Sequence, residues 1–248
     1  VRERGIDLRT EHRVTAVDTT QQQVTVDGPD GQTEVGYGEL LIATGAHART
    51  TPLSDEALAG VFTLHGLDDA AAIRAFLTDP DAYDRADVGA DERLDWERVD
   101  AMGAMAPPAQ LAIIGGGYVG VEMAEALAAW GVGVVLLPRG PRPLEAFGQT
   151  AGEQAVDALE ALGVTVELDT EVQSVEAADG QVSAVLATDG RSWPVQGAIV
   201  GTGITPATDL IRDTPIALGD SGGIATDAFG ATSVPGVYAA GDVAESIH

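Results

Sequence analysis

Residues Leu111–Arg139 read LAIIGGGYVGVEMAEALAAWGVGVVLLPR and contain the pattern that decides the fold. The apolar run Leu111–Ile114 has the length of a buried strand and leads directly into the glycine-rich stretch Gly115–Gly120. Apolar residues at helical spacing follow from Val121 to Trp130, and Val132–Leu137 has the composition of a second buried strand. The stretch therefore predicts a strand, a turn, a helix and a strand in succession.

The glycines of this turn follow the pattern GxGxxG, which is weak evidence alone in a chain with 31 glycines. Its position between a strand and a helix makes it specific. Gly115 permits a tight turn, Gly117 lets the backbone approach a pyrophosphate, and Gly120 lets helix and strand pack closely. The helix N-terminus attracts anions through its free N–H groups and its dipole. The sequence therefore predicts a pyridine dinucleotide site here.

The residue that follows the second strand distinguishes NAD from NADP in such units. An acidic residue there binds the ribose 2′-hydroxyl, whereas an arginine accommodates the 2′-phosphate. Here Pro138 and Arg139 occupy the position, Arg142 follows, and no acid occurs before Glu145. We therefore predict NADP in preference to NAD, the alternative being that Arg139 is a solvated surface charge.

The rest of the chain is predicted to alternate strands and helices, which gives an α/β fold with a parallel sheet. A helix is expected over Asp68–Leu77 and another over Gln149–Leu162. Antiparallel additions are also expected. The predicted strands outside the glycine-rich unit are Ile6–Leu8, His12–Val17, Gln23–Val26, Glu39–Ala43, Val164–Val166, Val172–Glu176, Val182–Leu186 and Ala198–Val200.

Residues 78–108 differ in character from their surroundings. They are rich in acids, have few aliphatic residues, and end in Pro107 and Pro108. We interpret them as a solvated insertion or linker, because long loops of this composition are often disordered.

The composition excludes several classes of function. The 39 acidic and 13 basic residues, all of the latter arginines, give a net charge of -26, so nucleic acid is excluded as a partner. The acids are spread along the chain, which favours adaptation to a saline cytoplasm over an acidic docking patch. No membrane span is predicted. The chain has no cysteine, hence no disulfide, thiolate nucleophile or Cys-ligated metal, and its four histidines suggest no metal site.

Four separated segments resemble the FAD-dependent pyridine nucleotide-disulfide oxidoreductase family. The glycine-rich segment, including Tyr118, Val119 and Glu122, is similar to its nucleotide fingerprint. The other three are the ATG segment Leu40–Ala46, the GxxP segment Gly203–Pro206 and the second FAD motif Thr232–Asp242. Within the family, the branch of CoA-disulfide reductases and NADH oxidases is most similar, although NAD-specific branches carry Glu where Pro138 stands.

The resemblance implies a Rossmann-like nucleotide domain inserted into a partial FAD-binding domain. Residues 1–60 and 208–248 would then be pieces of the FAD domain, and residues 61–207 the NAD(P) domain. The glycine turn for FAD and the redox cysteine of the family would precede Val1, and its dimerisation domain would follow His248. The chain is thus expected to be a truncated piece without a catalytic residue of its own, from a homodimeric parent.

The resemblance also implies roles for single residues. Tyr118 would gate the nicotinamide pocket, and Glu122 would orient the carboxamide. The alternatives are a packed tyrosine and a favourable first-turn acid. Asp242 would accept a hydrogen bond from the FAD ribityl chain, and Thr44 and Gly45 would lie along the flavin nucleotide.

The implied activity is hydride transfer from NAD(P)H to FAD and then to a disulfide, such as CoA-disulfide, or to another small-molecule or thiol acceptor. NADH oxidase and ferredoxin or rubredoxin reductase activities are alternatives within the same chemistry. A pyridine-nucleotide-binding module without redox chemistry is the alternative from another class, and the segment that ends at Gly241 and Asp242 argues against it.

The charge generates the first prediction. At molar salt the Debye length falls to about 3 Å, which screens the mutual repulsion of the carboxylates. We expect the chain to lose its fold when salt is dialysed away, as followed by far-UV circular dichroism. Cooperative unfolding of undiminished stability in dilute buffer would contradict the halophilic interpretation.

Overall fold

The structure, a computed structural model, describes residues 5–49, 51–53, 58–88 and 94–246. The chain forms two compact units: Ala48–Gly203 make one, which we call the central unit, and the chain before and after it makes the other, the flanking unit. Val1, the first residue of the sequence, lies outside the described residues, and so do residues 89–93 of the acidic stretch.

The elements are numbered along the chain. The strands are β1 Arg13–Asp18, β2 Gln23–Gly28, β3 Gly31–Gly36, β4 Leu40–Ile42, β5 Ala46–Ala48, β6 Val61–Phe62, β7 Gln110–Ile114, β8 Gly133–Leu137, β9 Thr165–Val166, β10 Val172–Ala178, β11 Gln181–Ala187, β12 Ser192–Pro194, β13 Gly197–Val200, β14 Ile204–Pro206, β15 Ile224–Thr226, β16 Val237–Ala239 and β17 Ala244–Ser246. The helices are α1 Leu67–Leu77, α2 Arg85–Val88, α3 Trp96–Gly103, α4 Tyr118–Ala129 and α5 Gln149–Ala161, and short 3-10 turns occur at Glu145–Phe147 and Asp209–Ile211.

The central unit is built on a five-stranded parallel sheet of order β6-β13-β7-β8-β9. Alternate side chains of each strand point to opposite faces. On one face, Leu111 and Ile113 of β7 pack in a cluster with α1, α3, α4 and α5. On the other face, Ala112 and Ile114 pack against the antiparallel sheet β10-β11-β12. The sheet is therefore covered on both sides, as a parallel sheet requires.

The predicted α/β class with a parallel sheet and antiparallel additions is confirmed. β7, α4 and β8 form the expected strand, helix and strand, and α5 then leads to β9. Both strands that flank α4 are buried almost throughout, in keeping with their uninterrupted aliphatic composition.

The flanking unit contains an antiparallel sheet, β1-β2-β3, and two parallel strand pairs, β4 with β16 and β15 with β17. Its core is formed by Ile42, Ile211, Ile224 and Val243 with their neighbours. Val24 and Val26 are the buried residues of β2, and the other residues of the strand are partly or fully exposed.

One strand prediction in this unit was wrong, and strands such as β3 were missed. Ile6–Leu8 is not a strand, and its apolar side chains are exposed (Ile6 55%, Leu8 68%). β3 was missed because only Val35 among its residues is apolar and aliphatic, so its alternation is invisible. It forms because the turn Asp27–Gly31, with Gly31 at φ 103, folds the chain back onto β2.

The interpretation of residues 78–108 as a solvated linker was also wrong for the residues that are described. α3 packs against α1, and Val99 is fully buried in the same cluster as Phe76. The Asp95 side chain caps α3 by accepting a hydrogen bond from the Arg98 N–H. A single buried valine per short helix is too weak a pattern to read from sequence.

Two carboxylates hold this region in place. Asp69 is buried, accepts hydrogen bonds from the N–H groups of His65 and Gly66, and pairs with Arg98 at 3.1 Å. Asp100 accepts hydrogen bonds from Arg85 and from the Tyr83 hydroxyl. The Arg85 bond, and then the Tyr83 bond, lower the pKa of Asp100, while burial and Asp100 raise the pKa of Tyr83.

The central unit begins at Ala48 and includes residues 51–53 and 58–60. Leu53 and Leu58 pack against the cluster on the β10-β11-β12 side, and Val182 N donates to Ala59 O. These contacts attach residues 51–53 and 58–60 to the central unit. No helix in the described part of the chain is both long and apolar enough to cross a lipid bilayer.

The position of Val99 yields a prediction about stability. Val99→Ala removes two methyl groups from a fully buried site, so we expect the free energy of unfolding to fall by about 2 kcal/mol in urea denaturation at high salt. Glu97→Ala on the exposed face of the same helix is the control and should change it by less than about 0.5 kcal/mol. Equal effects of the two substitutions would show that α3 is not part of the core.

Candidate functional site

The glycine-rich turn lies at the carboxyl edge of the parallel sheet, where the backbones of neighbouring loops touch. Gly115 has φ 119, and its N–H donates to Leu137 O at the end of β8. A Cβ at Gly115 would lie 2.3 Å from Gly201 O, in the segment that follows β13. No other residue fits, because both the dihedral angle and the contact with backbone exclude a side chain.

Gly120 fixes the distance between α4 and the strand before it. A Cβ at this position would lie 2.4 Å from Gly115 O and 3.5 Å from Ile113 Cγ2. The first turn of α4 therefore rests directly on the backbone of the turn. The spacing of the glycines predicted this close packing of helix and strand.

Gly116 was not assigned a role from the sequence, yet it holds the loop after β8. A Cβ there would lie 2.8 Å from the Pro138 side chain and 3.2 Å from Pro143 Cα. Leu144 N donates to Gly116 O at 2.7 Å, and Leu144 adopts φ 53 to do so. The loop of residues 138–144 thus folds over one side of the glycine turn.

Gly117 differs from its neighbours, since a Cβ there would meet nothing within 4 Å. It is the N-cap residue of α4, with an extended backbone (φ -72, ψ 176) and no side chain to satisfy the first N–H groups of the helix. Tyr118 is 59% exposed, and Val119 is partly buried. Glu122 is exposed one turn further along the helix. The free N–H groups at this helix end are directed at open space, as an anion site requires.

Two arginines follow β8 in the loop beside the turn. Arg139 is exposed, and no carboxylate of the described chain lies within ion-pair distance of it. The Arg142 stem packs on Gly152 of α5, where a Cβ would lie 2.8 Å from Arg142 Cδ. Its Nε is buried without a hydrogen-bond partner. In a chain of net charge -26, these cations are available to an added anion.

The segment after β13 forms the other side of the turn, and sequence reasoning recognised only its last glycine. Gly201 N donates to Ile114 O at 2.8 Å, and Gly203, at φ 110, accepts a hydrogen bond from Arg49 N. Between them, the Thr202 Oγ1 is buried and has no hydrogen-bond partner. A glycine directly after the predicted strand Ala198–Val200 was the available signal.

The strand order explains why these segments meet. From β7 the chain passes to β8 on one side, and β13 lies on the other side of β7. The carboxyl edge between β7 and β13 is therefore a topological switch point, where open α/β sheets bind ligands.

The flanking unit brings three other predicted residues to one edge. Thr44 follows β4 and Asp242 follows β16, and these strands pair in parallel, so the two residues leave the same edge. The Thr44 hydroxyl donates to Ala207 O, and Gly45, at φ 71, accepts a hydrogen bond from Ala207 N. Asp242 is exposed. No group of three His, Asp or Glu side chains that could hold a metal occurs among the described residues.

Comparison with known proteins assigns the chain to a family. Residues 1–248 match the family model described as pyridine nucleotide-disulphide oxidoreductase. The chain is 33% identical to the ferredoxin–NAD(+) reductase component of the biphenyl dioxygenase system of Paraburkholderia xenovorans, over 96% of this chain and 50% of that protein. It is also 33% identical to the NAD(P)H coenzyme A polysulfide/persulfide reductase of Pyrococcus horikoshii, over 100% of this chain and 49% of that protein.

A solved structure shares the fold. The FAD-dependent pyridine nucleotide-disulphide oxidoreductase from Desulfovibrio vulgaris superposes with a TM-score of 0.70 at 26% identity, over 94% of this chain and 53% of that one. The chain spans about half the length of the curated relatives that it matches.

The glycine contacts predict different effects on stability for alanine substitutions at Gly120 and Gly117. Gly120→Ala forces α4 away from Gly115 O, so we expect the free energy of unfolding to fall by about 2–3 kcal/mol. Gly117→Ala, with open space and an ordinary φ, should leave it unchanged or slightly higher. Urea denaturation of both variants at high salt measures the difference, and equal stabilities would disprove the close contact at Gly120.

Proposed function

We propose that this chain, which belongs to the pyridine nucleotide-disulphide oxidoreductase family, is the nucleotide-binding part of an NAD(P)H-dependent flavoprotein oxidoreductase. The observation that carries the proposal is the open space at Gly117. Three glycines of the turn are packed against backbone or proline, and the one at the helix N-cap faces free space. A pyrophosphate suits such a place, since the first N–H groups of α4 have no side-chain cap and no atom lies within 4 Å of the Cβ position at Gly117.

We propose that the central unit is the NAD(P) domain. The first N–H groups of α4 would bind the pyrophosphate, and Gly117 would permit the backbone to approach it. Arg139, and Arg142 with it, would bind the adenosine 2′-phosphate, which favours NADP over NAD. The bound nicotinamide supplies the hydride chemistry. The protein supplies the orientation that this chemistry needs.

Tyr118 and Glu122 are proposed to act on the nicotinamide half. The exposed Tyr118 ring at the start of α4 can cover the nicotinamide pocket and exclude water until the nucleotide displaces it. The exposed Glu122 carboxylate can accept a hydrogen bond from the carboxamide N–H group.

The flanking unit is proposed to contribute part of the FAD-binding domain. The exposed Asp242 carboxylate is a hydrogen-bond acceptor suited to a ribityl hydroxyl, and the turn at Thr44 and Gly45 lies at the same strand edge. The glycine-rich turn that a second dinucleotide needs does not occur in this sequence. We therefore expect the chain alone to bind pyridine nucleotide and to catalyse no turnover.

The electron acceptor is proposed by class only. One relative is named a ferredoxin reductase and another a reductase of coenzyme A polysulfide or persulfide, at equal identity. A disulfide such as CoA-disulfide and a small redox protein are thus both acceptors in keeping with the family, and this chain has no cysteine that would select the first. We also propose that the parent protein is a cytoplasmic homodimer.

Equilibrium binding of NADPH and NADH to the chain in molar KCl, by calorimetry, tests the proposal. We expect both nucleotides to bind, with NADPH preferred. Gly117→Ala should weaken both by at least about ten-fold without loss of stability, because its methyl group occupies the approach to the pyrophosphate. Binding of neither nucleotide by the folded parent chain would refute the nucleotide site.

The same experiment tests the preference for NADP. Arg139→Ala should weaken NADPH by about ten-fold and leave NADH unchanged, because only NADPH carries the 2′-phosphate. Arg74→Ala, an exposed arginine on α1, is the control for the change in net charge. An affinity for NADH ten-fold above that for NADPH would refute the preference.

A further inference from the structure

The carboxylate of Glu145 lies against the backbone of Gly140, the residue after Arg139 in the loop that follows β8. A Cβ at Gly140 would lie 3.1 Å from Glu145 Oε2 and 3.6 Å from its Cδ. Gly140 has no positive φ that would require glycine, so the missing side chain provides room for this carboxylate. The structure thus brings an acid to a place where the sequence showed only Pro138 and Arg139.

The backbone on both sides of this contact is fixed. Leu144 N donates to Gly116 O at 2.7 Å, which holds the start of the 3-10 turn Glu145–Phe147 beside the glycine turn. Gly140 O accepts a hydrogen bond from Asp169 N at 3.0 Å, in the segment after β9. The Glu145 side chain therefore extends from a defined position next to the dinucleotide turn.

Within the described part of the chain, neither the Glu145 carboxylate nor the Arg139 guanidinium has a hydrogen-bond or ion-pair partner. Both side chains are exposed, and they do not pair with each other. The loop therefore holds two opposite charges, and both are available to groups of a ligand.

The two side chains suit two different forms of one ribose. The residues after the second strand lie where the adenosine ribose binds in such units. A carboxylate accepts a hydrogen bond from the 2′-hydroxyl of NADH and repels the 2′-phosphate of NADPH. A guanidinium binds that phosphate through charge-assisted hydrogen bonds. The loop thus contains one group suited to each nucleotide.

We propose that Glu145 is a specificity-determining residue, which accepts a hydrogen bond from the adenosine 2′-hydroxyl of NADH and opposes the binding of NADPH. The proposal rests on the function proposed above and refines its preference for NADP. Arg139 favours the phosphate, Glu145 limits that preference, and the pocket accepts both nucleotides. The acid comes from the far end of the loop rather than from the end of β8, so only the folded chain brings it to the ribose.

Glu145→Gln tests this, because glutamine keeps the size of the side chain and removes its charge. We expect the affinity for NADPH to rise about three-fold, since the repulsion of an exposed charge is removed. The affinity for NADH should fall about five-fold, since a hydrogen bond to a charged group is weakened. Calorimetry in molar KCl measures both affinities.

Two controls accompany this variant. The compounds 2′,5′-ADP and 5′-AMP contain only the adenosine half, and their affinities should change in the same two directions as those of NADPH and NADH. Glu160→Gln, at the exposed far end of α5, removes the same charge away from the glycine turn and should leave both nucleotide affinities unchanged.

The outcomes separate this inference from the proposed function. Opposite changes for NADPH and NADH that recur with the adenosine compounds support it. If the parent binds both nucleotides and Glu145→Gln leaves both affinities unchanged, the inference is refuted while the proposed function stands. A rise of both affinities shows a general charge effect, a fall of both shows a structural one, and either refutes the inference. A parent chain that binds neither nucleotide refutes the proposed function and this inference with it.

Discussion

The contact between the backbones of Gly115, Gly120 and Gly201 is the constraint on which the rest of the central unit depends. It brings the ends of two parallel strands and the start of a helix closer together than any side chain would allow. The two strand ends are joined by the Gly201 N–H bond to Ile114 O, so the sheet stays paired up to the turn. The helix N-terminus is thereby fixed at the sheet edge, with its free N–H groups toward the crevice.

The charge distribution around this turn is opposite to that of the chain as a whole. A net charge of -26 repels a dinucleotide, yet the first turn of α4 contains no acidic residue. Other arginines of the described chain pair with nearby carboxylates, as Arg98 does with Asp69 and Arg191 does with Glu167. Arg139 has no such pair among the described residues. The electrostatic field at the turn is therefore set by the helix end and the nearby arginines. Salt screens these short-range interactions less than it screens the repulsion from distant carboxylates.

The sequence was informative where local chemistry dictates geometry and uninformative where partners come from distant segments. Gly115, Gly117 and Gly120 could be placed because their spacing is tied to a strand and a helix that adjoin them. The role of Gly116 depends on Pro143, and that of Gly201 on the pairing of β13 with β7, and neither neighbour is visible in a linear pattern. α3 was missed for the same reason, since Val99 is buried by α1 rather than by its own helix.

The division of the chain also bears on how it folds. The flanking unit is made of the first and last segments of the chain. Leu40 of β4 pairs with Val237 of β16, although the whole central unit lies between them in the sequence. During synthesis, β4 must wait for its partner until the ribosome has passed the central unit, which can fold meanwhile. A folded central unit brings its own ends together through the Arg49 bond to Gly203, and so shortens the effective loop that β4 and β16 must close. Prior folding of the central unit thereby lowers the entropic cost of forming the flanking unit.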